Sequence, residues 1–262
     1  MQTVWITGAS SGIGEACAYR YAQQGCRLIL TASSRERLER VADICRGKGS
    51  PDVRVLPYNL EEPEGIKLLV REAWNAFGGG IDILFCNAGV SQRTSVEDTP
   101  MPMMRKIMEI NFFAPVAMAE AILPLMTAAG GGRIAVTTSI AGRFGFPLRC
   151  AYSSSKHALY GFFETLRAEN HDKGISVTIV CPGRVKTAIS MNALDKGGVR
   201  HGVMDPGQDG GISPDKAARK IVRAIRHRRN EVLVGRGELL MVYIKRFFPN
   251  LCVKLAAKIN PM

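Results

Sequence analysis

TGASSGIG, residues 7–14, joins an apolar, β-branched run at residues 3–6 to a helical pattern that begins near Gly12. Glycines permit a tight turn and a close approach of the backbone to a pyrophosphate. The free amides at the positive end of a helix attract its charge. A plain turn between strand and helix is the alternative for such a loop. The position of this loop directly after the first strand, in a chain where strands and helices alternate, favours a dinucleotide site.

Short apolar runs and longer helical patterns alternate along the rest of the chain. Seven runs predict strands, at residues 3–6, 27–31, 54–57, 81–86, 133–138, 176–181 and 231–234. Six patterns predict helices, at residues 12–24, 36–46, 64–77, 103–128, 152–173 and 214–227. Strands that are apolar almost throughout are typical of a parallel sheet covered by helices on both faces. We therefore expect an α/β fold, a doubly wound parallel sheet (Rossmann fold) of about seven strands with a C-terminal helical extension.

The composition is that of a folded globular chain. Its 262 residues are 46% hydrophobic and 22% charged, which excludes wholesale disorder, collagen and coiled coil. No repeat, low-complexity tract or linker divides the sequence. We expect one dinucleotide-binding and catalytic domain at residues 1–237, extended by a basic amphipathic helical segment at residues 238–262.

Cysteine usage and the first residues predict a cytoplasmic, reducing location. The seven cysteines are scattered, odd in number and without a Cys-x-x-Cys pair, so neither a disulfide framework nor a metal site is expected. Residues 1–7 have the pattern of a strand rather than of a cleaved signal, and no run near the C-terminus approaches the length of a spanning helix.

Tyr152 and Lys156 form the second chemical motif. Their four-residue spacing stacks them on one helix face, where an ammonium beside a phenol favours the phenolate and lowers the pKa of the tyrosine. An exposed helix surface is the alternative for an isolated pair. Ser139, however, follows a predicted strand whose carboxyl end borders the ligand crevice of a parallel sheet. A hydroxyl there can hydrogen-bond the developing oxyanion of a carbonyl substrate.

With these motifs the sequence resembles the short-chain dehydrogenase/reductase family from Thr3 to about Thr187. The shared elements are Thr-Gly-x-x-x-Gly-Ile-Gly at residues 7–14, Asn87-Ala88-Gly89, Asn111, Ser139, Tyr152, Lys156 and Pro182-Gly183 followed by Thr187. Two positions depart from the common pattern: Cys86 precedes Asn87 where an asparagine is usual, and Asn59 stands where many members carry an aspartate that contacts adenine.

The resemblance implies roles for four residues. Tyr152 would be the general acid/base, Ser139 would orient the substrate oxygen, Lys156 would bind the nicotinamide ribose and lower the tyrosine pKa, and Asn111 would hold a water in the proton relay. The residues expected at the cofactor are Gly8, Ser10, Ser11, Gly12, Ile13, Gly14, Ser33, Ser34, Arg35, Asn59, Leu60, Asn87, Ala88, Gly89, Tyr152, Lys156, Pro182, Gly183, Val185 and Thr187.

The end of the second predicted strand favours NADP over NAD. Sites for NAD usually place a carboxylate there, whereas this chain has Ser33, Ser34 and Arg35, which suit a 2′-phosphate. The alternative is that Arg35 only pairs with Glu39 on the helix surface.

The substrate side should be lined by residues 90–92, 142–146 and parts of 187–213. Phe144, Phe146, Ile189 and Met191 favour a lipophilic alcohol or ketone, whereas Arg93 and Arg143 can meet an acidic group. Ordinary packing is the alternative for the aromatic residues. The segment 187–213 lacks periodicity, as expected of either a mobile loop over a site or a disordered insertion.

The C-terminal region carries most of the net charge of +12, with twelve Lys or Arg against three acids from Pro214 onward. Apolar and basic residues alternate at helical spacing in 238–248 and 250–259, and Pro249 should end or kink the first helix. Such helices either close the core or a subunit contact, or lie on an anionic membrane as a peripheral contact. No nucleic-acid-binding module accompanies the charge, so no nucleic-acid partner is expected.

We expect an NADP-preferring oxidoreductase that transfers a hydride between nicotinamide C4 and a carbonyl or secondary alcohol, with a small-molecule substrate. A catalytically silent NAD(P)-binding sensor on the same fold is the alternative. The resemblance also implies a homodimer or tetramer that pairs through residues 112–128 and 152–173.

Overall fold

The computed structural model describes residues 1–259. Seven strands form one parallel sheet in the order β3-β2-β1-β4-β5-β6-β7. The strands are β1 Thr3–Thr7, β2 Arg27–Thr31, β3 Val53–Val55, β4 Ile83–Cys86, β5 Gly132–Thr137, β6 Ile175–Pro182 and β7 Glu231–Val234. In the central register Val4 of β1 pairs with Leu28 on one side and with Ile83 on the other. The strand order reverses between β1 and β4, and this reversal opens a crevice at their carboxyl ends.

Helices cover both faces of the sheet, as predicted. They are α1 Gly12–Ala22, α2 Arg35–Gly47, α3 Ile66–Asn75, α4 Met101–Met108, α5 Ala114–Ala128, α6 Cys150–Glu169, α7 Pro206–Asp209, α8 Pro214–Arg226, α9 Leu240–Phe247 and α10 Pro249–Ala256. One apolar core lies between the sheet and α1, α2 and α8, and the other lies between the sheet and α3, α5 and α6. The doubly wound α/β prediction is therefore confirmed.

The predicted helix at 103–128 is interrupted in the structure. A π-helical turn, Glu109–Phe113, separates α4 from α5 and contains Asn111. Counted together with this π-helical turn, Met101–Ala128 is long and apolar enough to cross a membrane by length and composition. Here it is a core helix, because Ile107, Met118 and Ile122 are buried against the rest of the protein.

The segment 187–213 is packed over the carboxyl edge of the sheet. It contains α7, and isolated bridges join Gln92 to Leu194 and Val185 to Ile212. Ser190, Ala193 and Leu194 are buried within it. Of the two alternatives left open by the sequence, the position over a site agrees with the structure.

The C-terminal helices break at Pro249, as the sequence predicts. α9 ends at Phe247, Phe248 caps it, and Pro249 is the first residue of α10. One side of this helix pair packs on a small core of Ile140, Phe144, Cys181 and Cys252. The extension thus closes part of the core, and the division at residue 237 stays a prediction.

The cysteines are free thiols, and all but Cys150 are buried. Burial raises the pKa of Cys86 to about 12 and that of Cys181 to about 11. These two thiols inside strands are therefore protonated at neutral pH and poor nucleophiles.

Candidate functional site

Two neighbouring cavities lie at the carboxyl ends of the central strands. The larger, about 440 Å³, follows the glycine loop after β1 and reaches the ends of β2 and β3. The smaller, about 150 Å³, lies beyond β5 and β6. They share the lining residues Ile13, Thr137, Thr187 and Ile189. One elongated cleft therefore connects the glycine loop to Ser139 and Tyr152.

The glycine loop is shaped for close approach to an anion. Gly8 and Gly12 have φ of +63° and +60°, a left-handed conformation that favours glycine. A Cβ at Gly12 would lie 3.0 Å from the Thr187 methyl group, so a side chain there would fill the space between loop and cleft wall. The first helical bond of α1 runs from the Glu15 amide to the Ser11 carbonyl, which leaves the earlier amides directed out of the helix end.

Asn87 supports this loop from below. Its Nδ2 donates to the carbonyl oxygens of Thr7 (3.3 Å) and Gly8 (3.4 Å), and its Oδ1 accepts from the Thr137 hydroxyl (3.2 Å). The Thr7 hydroxyl in turn accepts from the amides of Asn87 and Ala88 at 3.0 and 3.1 Å. These bonds tie the loop after β1 to β4 and β5.

The far end of the larger cavity differs from the sequence prediction at one residue. Ser33, Ser34, Asn59 and Leu60 line it, and Arg37 lines it in place of Arg35. Arg35 lies on the exposed surface of α2, 3.6 Å from Glu39, which is the alternative that the sequence left open. The Ser34 hydroxyl caps α2 by accepting from the Arg37 amide, so Arg37 belongs to the first turn, above the cavity.

Ser139, Tyr152 and Lys156 come together at the other end of the cleft. The Ser139 hydroxyl accepts from the Ala141 amide at 3.2 Å and lies close enough to the Tyr152 hydroxyl to lower the pKa of that tyrosine. Lys156 Nζ lies 5.8 Å from the centre of the Tyr152 ring and donates to the Thr137 carbonyl at 2.8 Å. All three residues are buried. The one-turn spacing on α6 and the end of β5 therefore produce the predicted group.

The electrostatics of Tyr152 differ from the expectation. Burial raises its pKa, and the groups that oppose this are Ser139, Arg149 and Arg93 rather than Lys156. Burial also lowers the pKa of Lys156, to about 7. The Lys156 ammonium, bonded to the Thr137 carbonyl, is not among the charges that lower the pKa of Tyr152.

Lys156 should therefore make stability depend on pH. Its folded pKa lies far below the usual value near 10.4, so the unfolded chain binds the extra proton between about pH 7 and pH 10. Burial of the charged lysine lowers the free energy of unfolding, and this loss is fully present below about pH 7 and disappears toward pH 10. Over that range the free energy of unfolding rises by no more than about 1.4 kcal/mol per pH unit. Urea unfolding at several pH values should show wild type gaining stability relative to Lys156→Met as pH rises. If the unfolding free energies of the two proteins change in parallel with pH, burial of the charged Lys156 does not destabilise the fold.

Asn111 connects α6 to the loop after β4. Its Oδ1 accepts from the Val90 amide at 2.8 Å, and its Nδ2 donates to the Val90 carbonyl and to the Ser155 hydroxyl. A Cβ at Gly89 would lie 3.1 Å from Asn111 Oδ1 and 3.3 Å from Lys156 Nζ, so only a glycine fits between them comfortably. The amide of Asn111 is thus a structural link, and its water-holding role stays a prediction.

Gln92 fixes the start of α6, a function that the sequence did not reveal. The side chain is fully buried, and its Oε1 accepts hydrogen bonds from the backbone amides of Ala151 (2.8 Å) and Tyr152 (3.2 Å). Its Nε2 donates to Thr94 and Thr99. The residue 60 positions before Tyr152 in the sequence therefore holds the backbone of that tyrosine.

The smaller cavity combines apolar walls with a buried ion pair. Ile140, Phe146, Ile189 and Ile259 line it beside Ser139 and Tyr152. Arg93 pairs with Asp205, which also accepts from Arg149 at 3.0 Å. Burial lowers the pKa of Arg149 to about 10. These partners lie more than 50 residues apart in the sequence, and no local pattern joins them.

Two predicted substrate-side arginines have different positions. Arg93 lines the cavity, whereas Arg143 pairs with Glu231 at 2.6 Å over the Tyr160 ring and is not among the lining residues. Phe144 is buried in the core beneath the C-terminal helices, and Met191 is partly exposed outside both cavities.

The remaining predicted residues divide into those at the cleft and those behind it. Gly8, Ser10, Ser11, Gly12, Ile13, Ser33, Ser34, Asn59, Leu60, Asn87, Ala88, Gly89 and Thr187 line the larger cavity. Ser139, Tyr152, Pro182, Gly183, Val185 and Thr187 line the smaller one. Gly14, Arg35, Asn111 and Lys156 line neither. Sequence reasoning did not select Arg37, Lys106, Arg149, Arg184 and Ile259, which line one or the other, and it placed Arg200, Asp205 and Gln208 near the site only as members of the segment 187–213.

The chain matches a family of known enzymes along most of its length. The family model described as short chain dehydrogenase matches residues 2–197. A dehydrogenase/reductase SDR family protein 7-like from Drosophila melanogaster is 37% identical over 261 residues, which are 98% of this chain and 80% of the relative. The dehydrogenase/reductase SDR family member 7B from Bos taurus is 35% identical over 260 residues, covering 97% of this chain and 80% of the relative.

Solved structures share the same architecture. An alcohol dehydrogenase from Thermococcus sibiricus complexed with 5-hydroxy-NADP has a TM-score of 0.76 at 26% identity, over 90% of this chain and 97% of that one. A short chain dehydrogenase/reductase from Burkholderia phymatum in complex with NAD has a TM-score of 0.83 at 23% identity, over 100% of this chain and 96% of the other. The second likeness concerns the fold alone.

Proposed function

The chain belongs to the short-chain dehydrogenase/reductase family and is an NAD(P)-dependent oxidoreductase; from this premise we propose that it prefers NADP and interconverts lipophilic carbonyl compounds and secondary alcohols. The observation that carries the proposal is the buried Tyr152 and Ser139 pair, which lies in an apolar cavity continuous with the glycine-lined one.

The residues of the larger cavity fit a dinucleotide. Gly8 and Gly12 leave room for a pyrophosphate at the amides of α1, and Asn59 and Leu60 border the adenine end. Thr187 lines both cavities where they meet, and it would therefore lie near the nicotinamide end of the cofactor. The bound nicotinamide supplies or accepts the hydride.

Residues of the chain itself transfer the proton. In reduction the Tyr152 hydroxyl donates its proton to the substrate oxygen, and the Ser139 hydroxyl hydrogen-bonds the same oxygen. Lys156 Nζ lies 5.8 Å from the centre of the Tyr152 ring, and burial brings the pKa of this lysine to about 7, so it can exchange a proton with the cleft near neutrality. Arg93 and Arg149 support the phenolate during this cycle.

The preference for NADP rests on Arg37 with Ser33 and Ser34. A guanidinium bound to a 2′-phosphate forms charge-assisted hydrogen bonds, and no carboxylate stands at the end of β2 to repel that phosphate. We expect Arg37→Ala to weaken NADP binding roughly tenfold and to leave NAD binding unchanged. Arg35→Ala is the matched control, since this neighbouring arginine is turned to Glu39, and fluorescence titration measures both. Equal losses for the two variants, or none for Arg37→Ala, would refute the assignment.

The walls of the smaller cavity support a lipophilic substrate. Ile140, Phe146, Ile189 and Ile259 can bury a hydrocarbon chain beside the reacting carbonyl. With NADPH as reductant, kcat/KM should rise along a series of ketones of increasing chain length until the cavity is full. A series in which acetone reacts as well as its longer homologues would contradict the lipophilic assignment.

Homodimer or tetramer formation through α5 and α6 stays a proposal supported by the family resemblance. Light scattering after size-exclusion chromatography measures it.

A further inference from the structure

An apolar surface is concentrated on the C-terminal helices. Of the fifteen large hydrophobic side chains that are exposed in residues 1–259, six lie within residues 240–253. We call them the outer face: Leu240, Tyr243, Phe247, Phe248, Leu251 and Val253. Phe247 and Phe248 are 65% and 63% exposed, at the corner where α9 meets α10. Water-exposed apolar patches of this kind mark interaction sites.

The helices that carry the outer face are held in place by their other side. Cys252 is buried, and Val242, Ile244 and Ala256 pack against the small core of Ile140 and Phe144. The outer face is therefore not the result of loosely attached helices. It is presented on a platform fixed to the catalytic domain.

The charges around the outer face are of one sign. Lys245, Arg246, Lys254 and Lys258 are exposed, and residues 239–259 contain no Asp or Glu. Within the part of the chain that the structure describes, none of these four cations forms an ion pair. Apolar side chains bordered by unpaired cations complement a bilayer surface that bears anionic headgroups.

A second copy of this chain fits the outer face less well. Two-fold pairing of identical surfaces would bring the same four cations toward their copies, with no acidic residue in the segment to compensate. We propose that the outer face docks on the surface of a membrane containing anionic lipids, with Phe247 and Phe248 inserted between the headgroups.

Docking in this way would bring the catalytic cavity close to the lipid. Ile259, just after α10, lines the smaller cavity, and Phe146 lines it and also packs against the small core to which Cys252 of α10 belongs. If the proposed lipophilic substrate is correct, it would enter from the membrane side. The docking itself does not depend on that assignment.

The test is flotation of the full chain with vesicles of phosphatidylcholine alone or of phosphatidylcholine with phosphatidylserine. Wild type should float with the anionic vesicles and lose that binding in high salt. The double variant Phe247→Ser/Phe248→Ser should reduce the floating fraction roughly tenfold. Its matched control is Leu68→Ser/Val96→Ser, two exposed apolar residues elsewhere, which should bind as wild type does.

A second pair of variants separates local charge from net charge. Lys245→Glu/Arg246→Glu should abolish flotation, whereas Lys216→Glu/Lys220→Glu, on the exposed side of α8, should keep most of it. Equal binding by all variants would overturn the proposal. A second contrary result has two parts: wild type does not float with vesicles, and light scattering shows that Phe247→Ser/Phe248→Ser converts a dimer to a monomer. The outer face would then be occupied by a second copy of the chain. Flotation of Tyr152→Phe should equal that of wild type, so failure of docking and failure of the redox assignment are distinguishable.

Discussion

Tyr152→Phe is expected to lower kcat/KM for carbonyl reduction by roughly 10²–10⁴-fold, the usual contribution of a positioned general acid. The substitution removes only the hydroxyl, which is the group beside Ser139 in the buried cavity. The ring remains on α6, whose start is held by Gln92, so the backbone should not move. Steady-state oxidation of NADPH with a ketone substrate measures the effect.

The control for this variant is Tyr243→Phe, which removes the hydroxyl of an exposed tyrosine that lines neither cavity. It should retain wild-type rates on a soluble ketone. The Kd of NADPH should change by less than about threefold in Tyr152→Phe, because the loss concerns proton transfer and not uniform binding. A rate within a factor of about two of wild type would mean that another group donates the proton.

Gly14→Ala is expected to abolish measurable dinucleotide binding and to lower the thermal midpoint. A Cβ at this position would overlap the carbonyl oxygen of Gly8 and lie 2.7 Å from Asn87 Nδ2. Both neighbours belong to the bonds that shape the glycine loop, so the loop or α1 must shift. A shift of the α1 amides by a few tenths of an ångström or more weakens their hydrogen bonds to a pyrophosphate.

Gly47→Ala is the matched control for that substitution. Gly47 ends α2 with no atom near its added Cβ and with an ordinary backbone conformation, so alanine there should be neutral or slightly stabilising. Calorimetric titration with NADPH and a thermal scan compare the two variants. Wild-type affinity in Gly14→Ala would show that the close packing behind the loop is not required for cofactor binding.

Most of the architecture followed from local sequence patterns, for physical reasons. Strands buried on both faces must be apolar throughout, and this signal located all seven strands to within a few residues. The interruption at Glu109–Phe113 was not predictable, because the side chains on both sides of it keep a helical period. Within the π-helical turn, Asn111 bonds to Val90 and to Ser155, which belong to separate elements.

Arg35 and Arg37 show the limit of motif reasoning at a helix start. Both are basic residues just after β2, and the direction of each side chain depends on where the first turn of α2 begins. Because Ser34 caps the helix, Arg37 lies over the cavity and Arg35 lies toward Glu39. A shift of two residues, which the sequence does not resolve, separates an arginine that lines the cavity from one in a surface ion pair.

The electrostatics of the site were also beyond local patterns. The spacing of Tyr152 and Lys156 placed the two side chains correctly, but it carries no information on the depth at which they are buried. Burial decides both pKa directions, and the arginines that support the phenolate come from two distant loops joined by Asp205. Such contacts exist only once the segment 187–213 lies over the sheet.

The cleft as a whole is tested most directly by following a label from cofactor to product. Wild type is incubated with NADPH that carries deuterium at both C4 positions of the nicotinamide, so that either face delivers the label, and with a long-chain ketone, and the product is analysed by mass spectrometry. We expect a secondary alcohol with one deuterium on its carbinol carbon, and almost none from Tyr152→Phe in the same time. Tight NADPH binding without labelled alcohol from any ketone of the series, or equal yields from the two proteins, would contradict the assignment of hydride and proton transfer to this cleft.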